Sequence, residues 1–267
     1  MQTLDSQISS TSSNFKVASL GSGSKGNATL ISAGQTHLLI DCGFTVKETL
    51  KRFEKLEFDS SSLTAILVTH EHQDHIKGAG ALSRRLSIPV YATQGTFLSG
   101  KLGDNSHYQR ISPFEDLSIN DLSIEAFSVP HDAREPCQFV IEFQDKRLGI
   151  VSDLGSITRP IVEKLSSCHA LLLEMNHDYE MLMAGPYPYS LKKRVGGSLG
   201  HLNNQQSMDL LQQLDRDKLE FVVATHLSEQ NNCPELVASL LAENLKDSQV
   251  RYQVACQQRG LNWTSIC

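Results

Sequence analysis

Thr69-His70-Glu71-His72-Gln73-Asp74-His75 places three histidines and one aspartate in six consecutive positions, as HxHxDH. It follows Ala65-Ile66-Leu67-Val68-Thr69, an apolar run that reads as a buried strand. Side chains alternate faces along a strand, whereas the loop after it can turn several toward one point. Imidazole and carboxylate are donors that divalent Zn, Mn and Fe accept. The spacing predicts a metal site, with His70 and His72 on one ion and Asp74 and His75 on a second.

Two ions need more ligands than one hexapeptide supplies. Three later positions repeat its character, a ligand-type residue just past an apolar strand. Val129-Pro130-His131-Asp132 follows Leu122–Ser128, Val151-Ser152-Asp153 ends Arg147–Ser152, and Ala224-Thr225-His226 ends Phe221–Thr225. Strands of one sheet can present all their ends at one edge, so His131, Asp153 and His226 are candidate partners.

The rest of the chain reads as an alternation of the two element types. Strands are expected at Phe15–Leu20, Ala28–Ser32, His37–Ile40, Val90–Ala92, Leu122–Val129, Gln138–Phe143 and Ala170–Glu174. Val46, Leu50, Phe53 and Leu56 share one face of a helix over Val46–Leu56, with Thr45 and Glu48 as its capping box. Further helices are expected over Ile76–Leu86, Pro160–Leu165, Asn204–Leu214 and Pro234–Leu245. Residues 175–203 show no period and read as a functional loop or small insertion. Strand groups interleaved with helices in both halves predict one layered α/β domain over 15–267, after a Ser/Thr-rich, disordered leader at 1–14.

At 267 residues the chain can bury a sizeable core, and no run approaches the ~18 apolar residues of a membrane span. The start, Met1-Gln2-Thr3-Leu4-Asp5, lacks the basic and apolar regions of a secretory signal. Six scattered cysteines without a CxxC pair fit reduced thiols, and a cytoplasmic location follows. A net charge of −6 opposes coating nucleic acid by charge alone, and no obligatory protein partner is inferred.

HxHxDH followed in order by a separate His, Asp and His resembles the metallo-β-lactamase fold superfamily. The resemblance spans residues 15–267. It implies a four-layer αββα sandwich with a binuclear metal site at one edge. By that resemblance His70, His72 and His131 hold one divalent ion, Asp74, His75 and His226 hold the other, and Asp153 bridges them. Asp41, in Ile40-Asp41-Cys42-Gly43, matches the family's first motif and is expected behind a ligand histidine, fixing its tautomer. Ser22–Asn27, Glu174-Met175-Asn176-His177-Asp178, Gly200-His201-Leu202-Asn203-Asn204 and His226–Asn232 look like the YycJ/WalJ group. That likeness implies a nuclease-like hydrolase with 5′→3′ exonuclease activity on DNA. Two positions depart from it: Asn203 and Lys25 each stand where Ser is usual.

The chemistry expected is two-metal hydrolysis of a phosphodiester. Asp74 and Asp153 hold metal, and one of them takes the proton of the attacking water. His201 contacts the scissile phosphate or protonates the leaving oxygen, and His177 is a second phosphate donor. The Gly21–Asn27 loop reads either as an anion nest or as a plain glycine-rich turn. Lys192-Lys193-Arg194, close to Tyr187 and Tyr189, is expected to touch the nucleic-acid backbone. Such a metal site also attacks acyl carbons, so a glyoxalase II-like thioester hydrolase is the second reading, and an RNA-processing nuclease a third. The elements at 174–178 and 200–202 favour the nuclease over the thioester hydrolase.

Overall fold

In a computed structural model, residues 14–266 are described. The expected leader at 1–14 lies outside them except for Asn14. The first half runs β1 (Phe15–Gly21), β2 (Ala28–Ala33), β3 (Thr36–Ile40), α1 (Val46–Lys55), β4 (Ala65–Leu67), α2 (Gln73–Ile76), α3 (Ala79–Leu86), β5 (Val90–Ala92), α4 (Gln94–Leu98) and β6 (Tyr108–Arg110). The second half runs β7 (Leu117–Ile119), β8 (Leu122–Ser128), β9 (Cys137–Phe143), β10 (Lys146–Val151), α5 (Arg159–Leu165), β11 (Ala170–Glu174), α6 (Tyr179–Ala184), α7 (Tyr189–Val195), α8 (Asn204–Gln213), β12 (Phe221–Thr225), α9 (Pro234–Leu245), β13 (Arg251–Val254) and β14 (Leu261–Ser265).

These strands form two seven-stranded mixed sheets, ordered β14-β1-β2-β3-β4-β5-β6 and β13-β12-β11-β10-β9-β8-β7. Alternation along each strand builds the layers. Phe15, Val17, Ile31 and Leu38 of the first sheet meet Phe139, Ile141, Leu172 and Val223 of the second in a central core. The residues between them face outward. Leu30, Leu39 and Ile66 pack with Phe53, Ile76 and Leu82 of the helices on one side. Leu171, Leu173 and Val222 pack with Ile161, Leu165, Met208 and Leu241 on the other. The result is the expected αββα sandwich. Both faces of β11 and β12 are covered, which is why they read as unbroken apolar runs rather than alternating ones.

Several boundaries differ from expectation. The helix expected over 76–86 is split into α2 and α3 at Lys77-Gly78. Gly78 lies so close to Phe44 that an added Cβ would sit 2.2 Å from its carbonyl oxygen. Residues 175–203 are not loop throughout, because they hold α6 and α7. Six- and seven-residue helices have too few turns for a period to show. The short edge strands β6, β7, β13 and β14 escaped notice because they are part-exposed and patterned irregularly. At α1 only half of the capping box forms: Thr45 accepts from the Glu48 N–H, while the Glu48 carboxylate pairs with Arg52 at 2.7 Å. Asn203 does complete a full box with Gln206 at the start of α8, so Asn replaces Ser there with the same capping chemistry.

Phe139 is fully buried and Phe114 is 89% exposed. Phe139→Ala is expected to cost roughly 3–5 kcal/mol in urea unfolding, and Phe114→Ala less than about 0.5 kcal/mol. Equal effects would contradict the placement of the central core.

Candidate metal centre

The ends of β3, β4, β10, β11 and β12 lie along one edge, held in register by parallel pairing. Ile40 pairs with Leu67, Val151 with Leu173, and Glu174 with Thr225. The next residues enter the site. Asp41, Asp153 and His226 each adopt a left-handed backbone, with φ of 61°, 54° and 57°. That conformation is uncommon for residues with a Cβ and marks places where a side chain is turned off the strand direction. Asp74 and His75 are carried by the single turn of α2. Gly43 lets that turn approach closely, since a Cβ there would stand 1.8 Å from the Asp74 carbonyl oxygen.

All seven sequence-predicted ligands meet at this edge. Ligand atoms of His70, His72 and His131 lie within 4.8 Å of one another, as do those of Asp74, His75 and His226. Asp153 joins His70 and His75 in a third such group.

Hydrogen-bond partners fix which nitrogen of each ring faces inward. The His131 Nδ1–H donates to the Gly200 carbonyl at 3.1 Å, and the His72 Nε2–H donates to the Asp132 carbonyl at 3.2 Å. Carbonyls only accept, so His131 Nε2 and His72 Nδ1 are left with lone pairs facing each other at 3.2 Å. Such a contact is repulsive unless a proton or cation lies between. His70 Nε2 is buried with no hydrogen-bond partner. Asp153 Oδ2 likewise makes no well-aligned hydrogen bond, although His75 Nε2 is 3.0 Å away. Inward lone pairs, an orphaned imidazole nitrogen and a poorly satisfied carboxylate are what residues arranged around divalent cations should show.

Asp41 takes the position expected of it. Its Oδ2 accepts from His75 Nδ1 at 2.7 Å, and it accepts from Thr69, whose hydroxyl contacts His70 Nδ1 at 3.0 Å. One carboxylate thus orients a ring in each cluster, directly and through Thr69.

Glu174 is the residue that sequence reasoning missed. It is fully buried at the end of β11. Its Oε1 accepts from His201 Nδ1 at 2.9 Å, His226 Nδ1 at 3.0 Å and the Asp153 N–H at 3.1 Å. Its Oε2 accepts from the Leu154 and Leu202 N–H groups at 2.9 and 3.2 Å. Burial alone would raise its pKa, but His201 and the other donors outweigh that and hold the carboxyl at about 2. The signal was available, because Glu174 is another ligand-type residue ending an apolar strand.

The two clusters differ electrostatically. Burial, with His75 nearby, pushes the His70 pKa well below its usual value, and burial lowers that of His131. Burial acts the same way on His226, yet Asp153, Asp74 and Glu174 overcome it and raise its pKa to about 10. His75 is raised by Asp153, Asp74 and Asp41 against the same penalty.

The clusters open into a cavity of about 370 Å³, whose walls include Asp74, Lys101, Asn176, Tyr187, Arg194 and His201. His201 therefore reaches the site, as expected. Arg194 also lines it, paired with Asp132 at 2.5 Å. His177 does not line it: the ring is 1% exposed, and burial lowers its pKa to about 4. Lys192 and Lys193 are also off the wall. The Lys192 ammonium donates to the Met183 carbonyl at 2.6 Å, so of the basic residues of α7 Arg194 alone reaches the cavity. Lys101, unremarked in the sequence, supplies a second cation there. The Gly21–Asn27 loop is no anion nest, because the N–H groups of Gly23, Lys25, Gly26 and Asn27 are all spent inside the protein.

Residues 36–227 match the family described as Beta-lactamase superfamily domain. The chain belongs to the β-lactamase superfamily. It is a hydrolase of that superfamily, grouped with YycJ and WalJ. It is 32% identical over 232 residues to exodeoxyribonuclease YycJ of Bacillus anthracis, covering 85% of this chain and 88% of that protein. Identity to exodeoxyribonuclease WalJ of Streptococcus pneumoniae serotype 2 is 31% over 238 residues, 86% and 88% of the two chains. The fold matches YhfI from Bacillus subtilis, a metallo-β-lactamase fold protein, with a TM-score of 0.71 at 17% identity, over 94% of this chain and 98% of that one.

Below pH ~10 the His226 ring of the cation-free protein carries a proton that a cation must displace. Divalent cation affinity of this superfamily hydrolase should therefore rise with pH through neutrality, about tenfold per unit for each proton released. Calorimetry of Zn²⁺ binding at pH 7, in buffers of different ionisation enthalpy, should show proton release; none would contradict the charged state of the second cluster. Glu174→Ala strands five donors and should cost roughly 3–5 kcal/mol in denaturant unfolding, whereas His201→Ala should cost far less.

Proposed function

We propose that this hydrolase is a metal-dependent phosphodiesterase, an exonuclease acting 5′→3′ on DNA. The observation that carries the reading is the pair of ligand clusters opening into one cavity beside a histidine pinned by a buried carboxylate. Its likeness to two exodeoxyribonucleases over more than four-fifths of the chain supports it. In this reading His70, His72 and His131 hold one cation, Asp74, His75 and His226 hold the second, and Asp153 faces both. Two divalent ions, whether Zn, Mn or Fe, would supply an activated water and offset phosphate charge.

The chain's own residues do the rest. Asp74 orients the attacking water at the cavity floor. His201 Nδ1 is committed to Glu174, so Nε2 is the atom left to meet the substrate. From the cavity wall it protonates the leaving oxygen, and Glu174 stabilises the charged ring in the meantime. Lys101 and Arg194 supply positive charge where a phosphodiester backbone enters. Tyr187, Tyr189 and Lys193 extend that surface at and just before α7, with Tyr189 75% exposed and available to stack on a base. These two wall cations favour a backbone with a phosphate at every step over a glutathione thioester, whose reacting group is uncharged. The buried, unpaired cysteines Cys42, Cys137 and Cys168 support a reducing compartment, and we place the enzyme in the cytoplasm.

The test is to strip the purified protein of metal, restore Mn²⁺, Zn²⁺ or Fe²⁺ singly, and supply end-labelled DNA, RNA and S-lactoylglutathione. Metal-dependent degradation of DNA is expected, lost in Asp74→Asn and reduced about 10²–10⁴-fold in His201→Ala. Thioester turnover with DNA left intact would replace this reading.

A further inference from the structure

The Ser22-Gly23-Ser24-Lys25-Gly26-Asn27 motif has no part in the chemistry described above, yet it touches every member of one ligand cluster. The Gly23 N–H donates to Asn27 Oδ1 at 2.8 Å, which fixes the orientation of the amide. Asn27 Nδ2 must then face the site. It lies 3.2 Å from Asp74 Oδ2, 3.3 Å from the Asp74 carbonyl oxygen and 3.1 Å from His75 Nε2. The Asn27 N–H donates to the same carbonyl at 2.7 Å. At the other end of the motif, Ser22 Oγ accepts from the His226 N–H at 2.6 Å, at the point where the backbone is left-handed. Asp74, His75 and His226 are all braced from this one loop. His70, His72 and His131 make no hydrogen bond to it.

We infer that Asn27 and Ser22 are positioning residues for the second cation site alone. This rests on the two-cation reading above. Asn27 holds the Asp74 carboxylate and packs against the His75 ring, so both point at one place. Ser22 sets the backbone that carries His226. The first cluster is oriented by other groups, the Gly200 and Asp132 carbonyls and Thr69. Occupancy of the two sites is therefore separable by mutation within this loop. Lys25 provides a control, since its side chain points away and pairs with Glu229 at 2.5 Å.

The test is cation stoichiometry and affinity, read without any substrate. Full-length wild type, Asn27→Ala, Ser22→Ala and Lys25→Ala are dialysed against Zn²⁺, and bound metal is counted by atomic emission. Mn²⁺ titration then gives the two affinities, and circular dichroism checks folding. Wild type and Lys25→Ala should hold two cations. Asn27→Ala should keep the first with unchanged affinity and bind the second at least tenfold more weakly, and Ser22→Ala should do so independently. Folded variants that hold both cations as tightly as wild type, or lose both equally, overturn the inference. A wild-type chain that holds one cation overturns the two-cation reading itself, and this inference with it.

Discussion

One buried carboxylate holds the site together. Glu174 collects five hydrogen bonds from three segments that are far apart in sequence: the turn after β10, the Gly200–Leu202 loop, and the end of β12, all gathered on the end of β11. An ionised carboxylate out of water is costly unless paired and fully hydrogen-bonded. Here every donor that meets it belongs to, or adjoins, a residue of the cavity floor. The penalty for misplacing any of these segments is therefore a charge left unsatisfied. That constraint fixes Asp153, His201 and His226 relative to one another before any cation arrives.

Asp41 does for the first sheet what Glu174 does for the second. It sits at the end of β3 and reaches His75 directly and His70 through Thr69. The site is thus built by two carboxylates, one from each sheet, each orienting histidines that the other does not touch. The cavity lies where the two sheet edges meet, and the central core of Phe15, Leu38, Phe139 and Val223 sets their separation. Closely packed side chains of that kind transmit little slack to the edge. The two clusters then differ in charge. His70 and His131 are held neutral by burial, while His75 and His226 are surrounded by carboxylates that favour the imidazolium. A cluster of three histidines and a cluster of two histidines with an aspartate therefore depend unequally on protons.

Much of this was legible in the residues. HxHxDH after an apolar strand announced a metal site, and His131, Asp153 and His226 each followed a strand of the same kind. The rule that found those three, a ligand-type residue ending an apolar run, also points at Glu174. Within Glu174-Met175-Asn176-His177-Asp178 it is both a motif residue and a strand end, and the second property carries its role. His177 and Lys192 show the opposite error. Their chemistry suited phosphate, but a histidine beside a strand is as easily buried as exposed, and an ammonium on a short helix can turn back to a neighbouring carbonyl. Neither orientation has a local signature, because each depends on contacts with residues outside its own segment.

The sequence by itself determined the layers and the candidate ligands. Strands that are apolar at every position require a sheet covered on both faces, and only a few residue types bind divalent cations. Tertiary structure alone decided which ring nitrogen faces inward, which carboxylate stands behind which histidine, and which cations reach the cavity. Those are properties of pairs far apart in the chain, 52 positions between Glu174 and His226 and 69 between His131 and Gly200. The parallel register of the strands and the left-handed turns at Asp41, Asp153 and His226 bring them together. No local pattern encodes such distances, because the hydrogen bond that sets each geometry forms only after the sheets have packed.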